Sequence, residues 1–211
     1  MLLCGRLRAA ASFRELAGAE RQPVSSRHML GKPNIFLIGP MGSGKSAVGK
    51  YLARLIHAPF VDSDTEIERR TGVDIPYIFE KEGEAGFRER ERETLEVLTA
   101  EGPMVLATGG GAVLLPQNRS YLSERGCVVY LKTSVAQQVF RVKHARNRPL
   151  LNNVDPAERL EMLMRQRAPI YESLADITVS TDGRRVRSVA EDILCALGET
   201  FPNPDTLPPE T

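Results

Sequence analysis

Short apolar runs alternate along this chain with stretches where apolar residues return every three or four positions. The runs cover residues 35–38, 59–61, 104–107, 128–131 and 177–180, each the length of a buried strand. Helical spacing follows the first run, with Val48, Tyr51, Leu52, Leu55 and Ile56 on one face. It recurs over 64–71, stopping at Gly72, and over 84–99, which carries Phe87, Leu95 and Leu98. Further helices are expected around 117–124, at 134–144, at 156–167, and at 186–197 with Val186, Val189, Ile193 and Leu197. Strands that are apolar throughout, rather than alternating, are covered on both faces, as in a parallel sheet. Right-handed crossovers then give a three-layer α/β/α fold with a central five-stranded parallel sheet. Ligands of such a sheet gather beyond the carboxyl ends of its strands.

Length and composition narrow this little further. The 211 residues suit one domain with ends to spare, and an apolar share of 42% is enough for a core. Lys and Arg number 28 against 27 Asp and Glu, a net charge of +1. That balance gives no global attraction to nucleic acid or membrane. No run approaches the ~18 apolar residues of a membrane-spanning helix. Cys4, Cys127 and Cys195 form no C-x-x-C pair and read as free thiols, with Cys127 and Cys195 as core fillers. His28, His57 and His144 lack the spacing of metal ligands.

Residues 1–31 are rich in Arg and Ala but have no continuous apolar segment, which argues against a secretory signal. They are expected to be a disordered extension, with translation from Met29 as the alternative; Glu15 and Glu20 weaken a transit-peptide reading. Residues 199–211 read as a disordered, Pro-rich tail, leaving a domain over 32–198.

The candidate chemistry sits where strands end. Gly39-Pro40-Met41-Gly42-Ser43-Gly44-Lys45-Ser46, between a strand and a helix, is a phosphate-binding P-loop. Its glycines let backbone N–H groups turn toward phosphate oxygens at the positive end of the following helix. Lys45 can reach the β- and γ-phosphates, and the Ser46 hydroxyl can ligate Mg²⁺. After the second strand, Asp62 and Asp64 point the same way in extended chain. One can hold Mg²⁺ through water and the other accept a hydroxyl proton; the same residues would also serve as an ordinary helix N-cap. After the third strand, Gly109, Gly110 and Gly111 expose backbone N–H groups to a ligand, or simply make a tight turn. That strand carries no acidic residue, so metal binding falls to Ser46 and the Asp62/Asp64 pair.

A cationic segment comes after the fourth strand and its helix, with Arg141, Arg146 and Arg148, and reads as a mobile cover over about 142–155. Its arginines can neutralise transition-state charge or stand as solvated surface charges. Residues 87–93, FRERERE, read as an exposed, salt-bridged helix from which Arg88 does not stand out.

Taken together, GPMGSGKSAVG, DSD before IERRTG, EGEAGFRERE, ATGGGAV, RNRPLL and RQRAPIYESLAD resemble the shikimate kinase family from about Pro33 to Leu197. The resemblance implies a nucleoside monophosphate kinase-like fold that moves the γ-phosphoryl of ATP to the 3-hydroxyl of shikimate. It further implies that Asp64 binds the shikimate hydroxyls and orients or deprotonates the acceptor, within a substrate-binding segment over 62–95. Arg88 and Arg167 would clamp the substrate carboxylate, while Gly109, Gly110 and Gly111 line the pocket, Gly110 with its N–H toward the ligand.

On the same footing, ATP would rest on Gly42, Ser43, Gly44, Lys45, Ser46 and Ala47, with Arg148 closing on the phosphates and Arg141 and Arg184 near the adenine. One Mg²⁺ per subunit would be held by Ser46 directly and by Asp62 through water. Ala47 stands where many relatives have Thr. The partners expected are shikimate and ATP, with neither nucleic acid nor membrane, in a cytoplasmic monomer. Three rivals share parts of this pattern: a gluconate kinase on the same scaffold, a catalytically silent nucleotide-binding module, and a nucleic-acid kinase. The first gives no reason for three glycines plus two carboxylate-binding arginines. The second would not need the acceptor-site groups, and the third lacks a basic, aromatic-studded groove.

Overall fold

The computed structural model describes residues 34–142 and 155–198. Strand β1 (Asn34–Ile38) leads into helix α1 (Lys45–Leu55), then β2 (Phe60–Asp62), α2 (Ser63–Thr71) and α3 (Ile75–Ala100). Next come β3 (Val105–Ala107), a 3₁₀ turn at Ala112–Leu114, α4 (Pro116–Arg125) and β4 (Gly126–Lys132). The chain then continues as α5 (Val135–Val142), α6 (Pro156–Leu174), β5 (Ile177–Ser180) and α7 (Val186–Gly198). All pairings are parallel and the strand order is β2-β3-β1-β4-β5. This is the expected five-stranded sheet. The chain leaves β1 to one side for β2 and β3 and later crosses to the other for β4 and β5.

β1 shows why its sequence has no polar alternation. Ile35 and Leu37 face a core with Val48 and Leu52 of α1 and Val189 and Ile193 of α7. Phe36 and Ile38 face the opposite core, with Leu95 and Leu98 of α3, Leu122 of α4 and Tyr171 of α6. A third, smaller cluster joins Ile67 of α2 to Ile78 and Phe87 of α3. Here the Phe79 and Phe87 rings stand 4.7 Å apart. The satellite core braces the α2–α3 hairpin beside the sheet. Among the described residues no helix is long and apolar enough to cross a membrane.

Most element boundaries match the sequence reading, including the stop of α2 at Gly72 in the left-handed conformation (φ 70°). Two helices run further than expected. The backbone of α3 breaks at Gly83 (φ 69°, ψ −173°), so the periodic segment 84–99 is its second half. The first half opens at Asp74, whose carboxylate accepts the Tyr77 N–H, and Arg90 bridges the break with two bonds to Glu82 at 2.6 and 2.7 Å. Helix α6 passes through Pro169 to Leu174. Pro169 is exposed, and Tyr171 beyond it is buried in the core, so packing outweighs the lost backbone bond. Of the two cysteines expected in the core, Cys127 is buried but Cys195 is exposed. It falls outside the apolar stripe of α7, which consists of Val189, Ala190, Ile193 and Leu197. The expectations for residues 1–33, 143–154 and 199–211 lie outside the described residues.

Gly126 gives a direct test of how tightly the sheet packs on its helices. A methyl group there would stand 2.7 Å from Phe36 Cδ2 and 2.8 Å from Cζ, and Phe36 is fully buried. Its backbone is ordinary extended strand (φ −164°), so the conflict is steric alone. Gly126→Ala is expected to lower unfolding free energy by about 1–3 kcal/mol with an unchanged denaturant m-value. Equal denaturation midpoints would mean that the core yields at this point.

Candidate active site

The turn after β1 opens through three glycines at positive φ: Gly39 at 141°, Gly42 at 78° and Gly44 at 91°. Those values let the backbone curl so that N–H groups face inward ahead of α1. Lys45 Nζ donates to the carbonyls of Gly39 (2.7 Å) and Pro40 (2.8 Å) and to Ser43 Oγ (3.3 Å). The ammonium therefore sits in the mouth of the loop. Ser46 Oγ donates to Asp62 Oδ2 at 2.6 Å, and Asp62 Oδ1 accepts the Asp64 N–H at 3.1 Å. Asp62 thus does both jobs that its sequence allowed, capping α2 and facing the P-loop.

The Ser46 hydroxyl and the Asp62 carboxylate are hard oxygen donors on one wall of this cleft. Among the described residues no three His, Cys, Asp or Glu side chains cluster as metal ligands. That donor set fits Mg²⁺, which binds through one or two protein oxygens and takes its remaining ligands from phosphate and water.

Arg141 closes the far side of the cleft, donating to the Gly42 carbonyl at 2.8 Å, the Thr181 carbonyl at 2.7 Å and Thr181 Oγ1 at 3.1 Å. Ala47 is exposed and lines the cleft. Arg184 was expected near the same end, but its guanidinium turns to α7, bonding Asp192 at 2.6 Å and Ser188 Oγ at 2.8 Å. It lines neither this cleft nor the next. Arg148 and the expected cover lie outside the described residues.

A second cleft adjoins the first, between α3, α6 and the glycine turn after β3, and brings together Asp64, Arg88, Gly109, Gly110, Gly111 and Arg167. The three glycines do different things. A methyl group on Gly109 would meet Glu91 Oε1 at 2.6 Å and Asp64 Oδ1 at 2.7 Å. One on Gly111 would meet the Arg88 guanidinium, 2.5 Å from Nη1 and 2.6 Å from Cζ. Charged side chains thus pack directly on backbone at both ends of the turn. The Gly109 N–H is taken by Ser63 Oγ at 3.0 Å.

The expectation of an exposed helix over 87–93 holds for Arg92, which bonds Glu89 and Glu96 on the surface, and for Arg90. It fails for Phe87, Arg88 and Glu91. Phe87 is 5% exposed and the Glu91 side chain not at all, because 87, 91, 95 and 98 share the helix face that meets the core. Glu91 is the residue the sequence reading missed, and that i, i+4, i+8 spacing was the available signal. Its Oε2 accepts Arg88 Nη1 at 2.7 Å, while Arg88 Nη2 reaches Glu84 at 3.1 Å. Among the described residues, Arg88 Nε, Arg167 Nε and Glu91 Oε1 are buried without a hydrogen-bond partner. Both guanidiniums line the same pocket, where their forked donors suit a carboxylate ligand.

The description of the matching family model is shikimate kinase, and the match covers residues 41–198. A shikimate kinase of Thioalkalivibrio sulfidiphilus is 59% identical over 160 residues, which is 76% of this chain and 84% of that relative. One from Vibrio parahaemolyticus is 52% identical over 171 residues, 81% of this chain and 99% of the relative. Among solved structures, shikimate kinase from Acinetobacter baumannii in complex with shikimate has a TM-score of 0.79 at 46% identity, covering 84% of this chain and 99% of that one.

Glu91 gives the site a pH signature. Burial pushes its carboxyl up to about 7, with Arg88 opposing and Asp64 adding to the rise. Between the ordinary carboxyl range and pH 7, the folded state keeps a proton that the unfolded chain has released. Stability therefore falls as pH rises through that window. Glu91→Gln removes this component. The melting temperature of the unmodified protein relative to Glu91→Gln is expected to decline from about pH 5 to about pH 8. Parallel curves would show Glu91 ionised throughout.

Proposed function

The chain belongs to the shikimate kinase family, and we propose that its two clefts hold the two substrates of one phosphoryl transfer. The enzyme phosphorylates shikimate at the expense of ATP. The observation that carries the division of labour is a shared wall, since Met41, Asp64 and Gly110 line both clefts. A phosphoryl group on the P-loop side and a hydroxyl on the α3 side would meet there.

On this reading the P-loop N–H groups of Gly42, Ser43, Gly44, Lys45, Ser46 and Ala47 bind the ATP phosphates. Lys45 exchanges its loop carbonyls for β- and γ-phosphate oxygens. Ser46 and Asp62 would hold Mg²⁺, the serine directly and the aspartate through water, and the ion would offset negative charge on the phosphates. Arg141 borders the adenine, and Arg148 supplies a further positive charge from the cover. Arg184, tied to Asp192, is left out of the nucleotide site.

In the acceptor cleft, Arg88 and Arg167 take the shikimate carboxylate, a planar group that suits a guanidinium fork. Glu91 holds the Arg88 fork in place. Gly110 directs its N–H to the ligand, and Gly109 and Gly111 give room for the charged groups beside it. The clamp brings the 3-hydroxyl to Asp64, which orients it and accepts its proton as the oxygen attacks the γ-phosphorus. Fixing both reactants in line removes most of the entropic barrier, and the surrounding cations stabilise a loose transition state. The free thiols Cys127 and Cys195 accord with a cytoplasmic enzyme, which we take to act as a monomer.

A coupled assay of ADP release with Mg·ATP and shikimate, quinate or gluconate tests the reading as a whole. Turnover is expected with shikimate alone; ATP binding without shikimate-dependent turnover overturns it. Asp64→Asn is expected to lower kcat by about 10²–10⁴-fold while leaving the KM for ATP nearly unchanged. Retained turnover with lost ATP affinity would move Asp64 to the nucleotide side.

A further inference from the structure

Tyr171 is fully buried and stands one helical turn beyond Arg167 on α6. Its hydroxyl donates to the Gly110 carbonyl in the middle of the glycine turn. Among the described residues the other donor to that oxygen is Arg167 Nη1, at 3.4 Å, the outer limit of a hydrogen bond. We propose that Tyr171 is a positioning residue for the acceptor pocket. By taking up the Gly110 carbonyl, its hydroxyl fixes the 110–111 peptide and leaves the Arg167 guanidinium to the substrate carboxylate. The second half of this statement rests on the carboxylate clamp proposed above.

The reasons lie in the backbone. Three successive glycines have no side chains to hold their peptide planes, so an outside bond must choose the orientation. A peptide is planar and trans, so anchoring the Gly110 oxygen also sets the direction of the Gly111 N–H. The Gly110 carbonyl is part-buried, and a carbonyl withdrawn from water needs a donor. Without the tyrosine hydroxyl, Arg167 is the donor at hand, and a guanidinium drawn fully onto Gly110 is lost to an incoming carboxylate. The aromatic ring is itself fixed, lying on Tyr130 with centroids 5.1 Å apart and planes 23° apart. Burial also pushes the Tyr171 hydroxyl up to about 12, against the opposing effect of Arg167, so it remains a donor at neutral pH.

The same stack supplies a matched control. Tyr130 is equally buried in the same core cluster, but its hydroxyl has no hydrogen-bond partner among the described residues. Tyr171→Phe and Tyr130→Phe each keep the stack and remove one hydroxyl. The two variants and the unmodified enzyme are compared by KM for shikimate and ATP, kcat, melting temperature and the amide NMR signals of the glycine turn. Tyr171→Phe is expected to raise the KM for shikimate about tenfold, with the KM for ATP and kcat within about twofold, and to shift the Gly110 and Gly111 amides. Tyr130→Phe is expected to do none of these.

An unchanged KM for shikimate in Tyr171→Phe overturns the proposal. So does an equal rise in both KM values, or a Tyr130→Phe variant that behaves in the same way. If the unmodified protein fails to turn over shikimate, the proposed function falls. The glycine amide signals then decide separately whether the hydroxyl positions the turn, and unmoved signals overturn that as well.

Discussion

Burying Arg88, Arg167 and Glu91 at the carboxyl edge of the sheet would cost several kcal/mol per ion if any of them stood alone. The acceptor cleft is built around keeping them accompanied. Glu91 meets Arg88 at 2.7 Å, which opposes the rise that burial and the neighbouring Asp64 give its carboxyl. That packing leaves no volume for side chains on the adjoining turn, so Gly109 and Gly111 follow from the charges. It also sets the Arg88 and Arg167 side chains in the lining of the cleft. A pocket in this condition is ready for an anion, because the desolvation of its cations has already been met in folding.

Much of this was legible because the chemistry falls at strand ends. The P-loop, Asp62 with Asp64, and the three glycines each follow a continuous apolar run, and the sheet brings those ends to one edge. What stayed hidden had local patterns that pointed elsewhere. Glu91 sits in a run of alternating charges that reads as a solvated face, and only its spacing from Phe87 and Leu95 places it inside. The first half of α3 is separated from the second by Gly83, which resets the helical phase. Pro169 reads as a helix end, although burial of Tyr171 and Leu174 on the far side carries α6 through it. In each case a long-range packing interaction outweighed a local preference, which no window of neighbouring residues can report.

The continuation of α6 matters for the site as well as the core. A helix ending at Arg167 would present that arginine from a fraying terminus. Held for nearly two further turns, α6 presents it from a rigid segment whose next turn bears on the same glycine carbonyl. One helix face thus serves both the apolar core and the polar pocket.

Separation of donor and acceptor is fixed by the sheet itself. β1 and β3 are hydrogen-bonded neighbours in parallel register, with Leu37 opposite Ala107, so the P-loop and the glycine turn leave the sheet at one level. Neighbouring strands lie about 4.8 Å apart, and the loops that follow inherit that spacing. Gly110 accordingly rests against the P-loop: a methyl group there would be 3.4 Å from the Met41 nitrogen. The two loops are thus in van der Waals contact, and a shift of the P-loop would move one wall of the acceptor cleft. Placement to within a few tenths of an ångström, on which in-line transfer depends, therefore comes from backbone pairing deep in the fold rather than from the loops that touch the ligands.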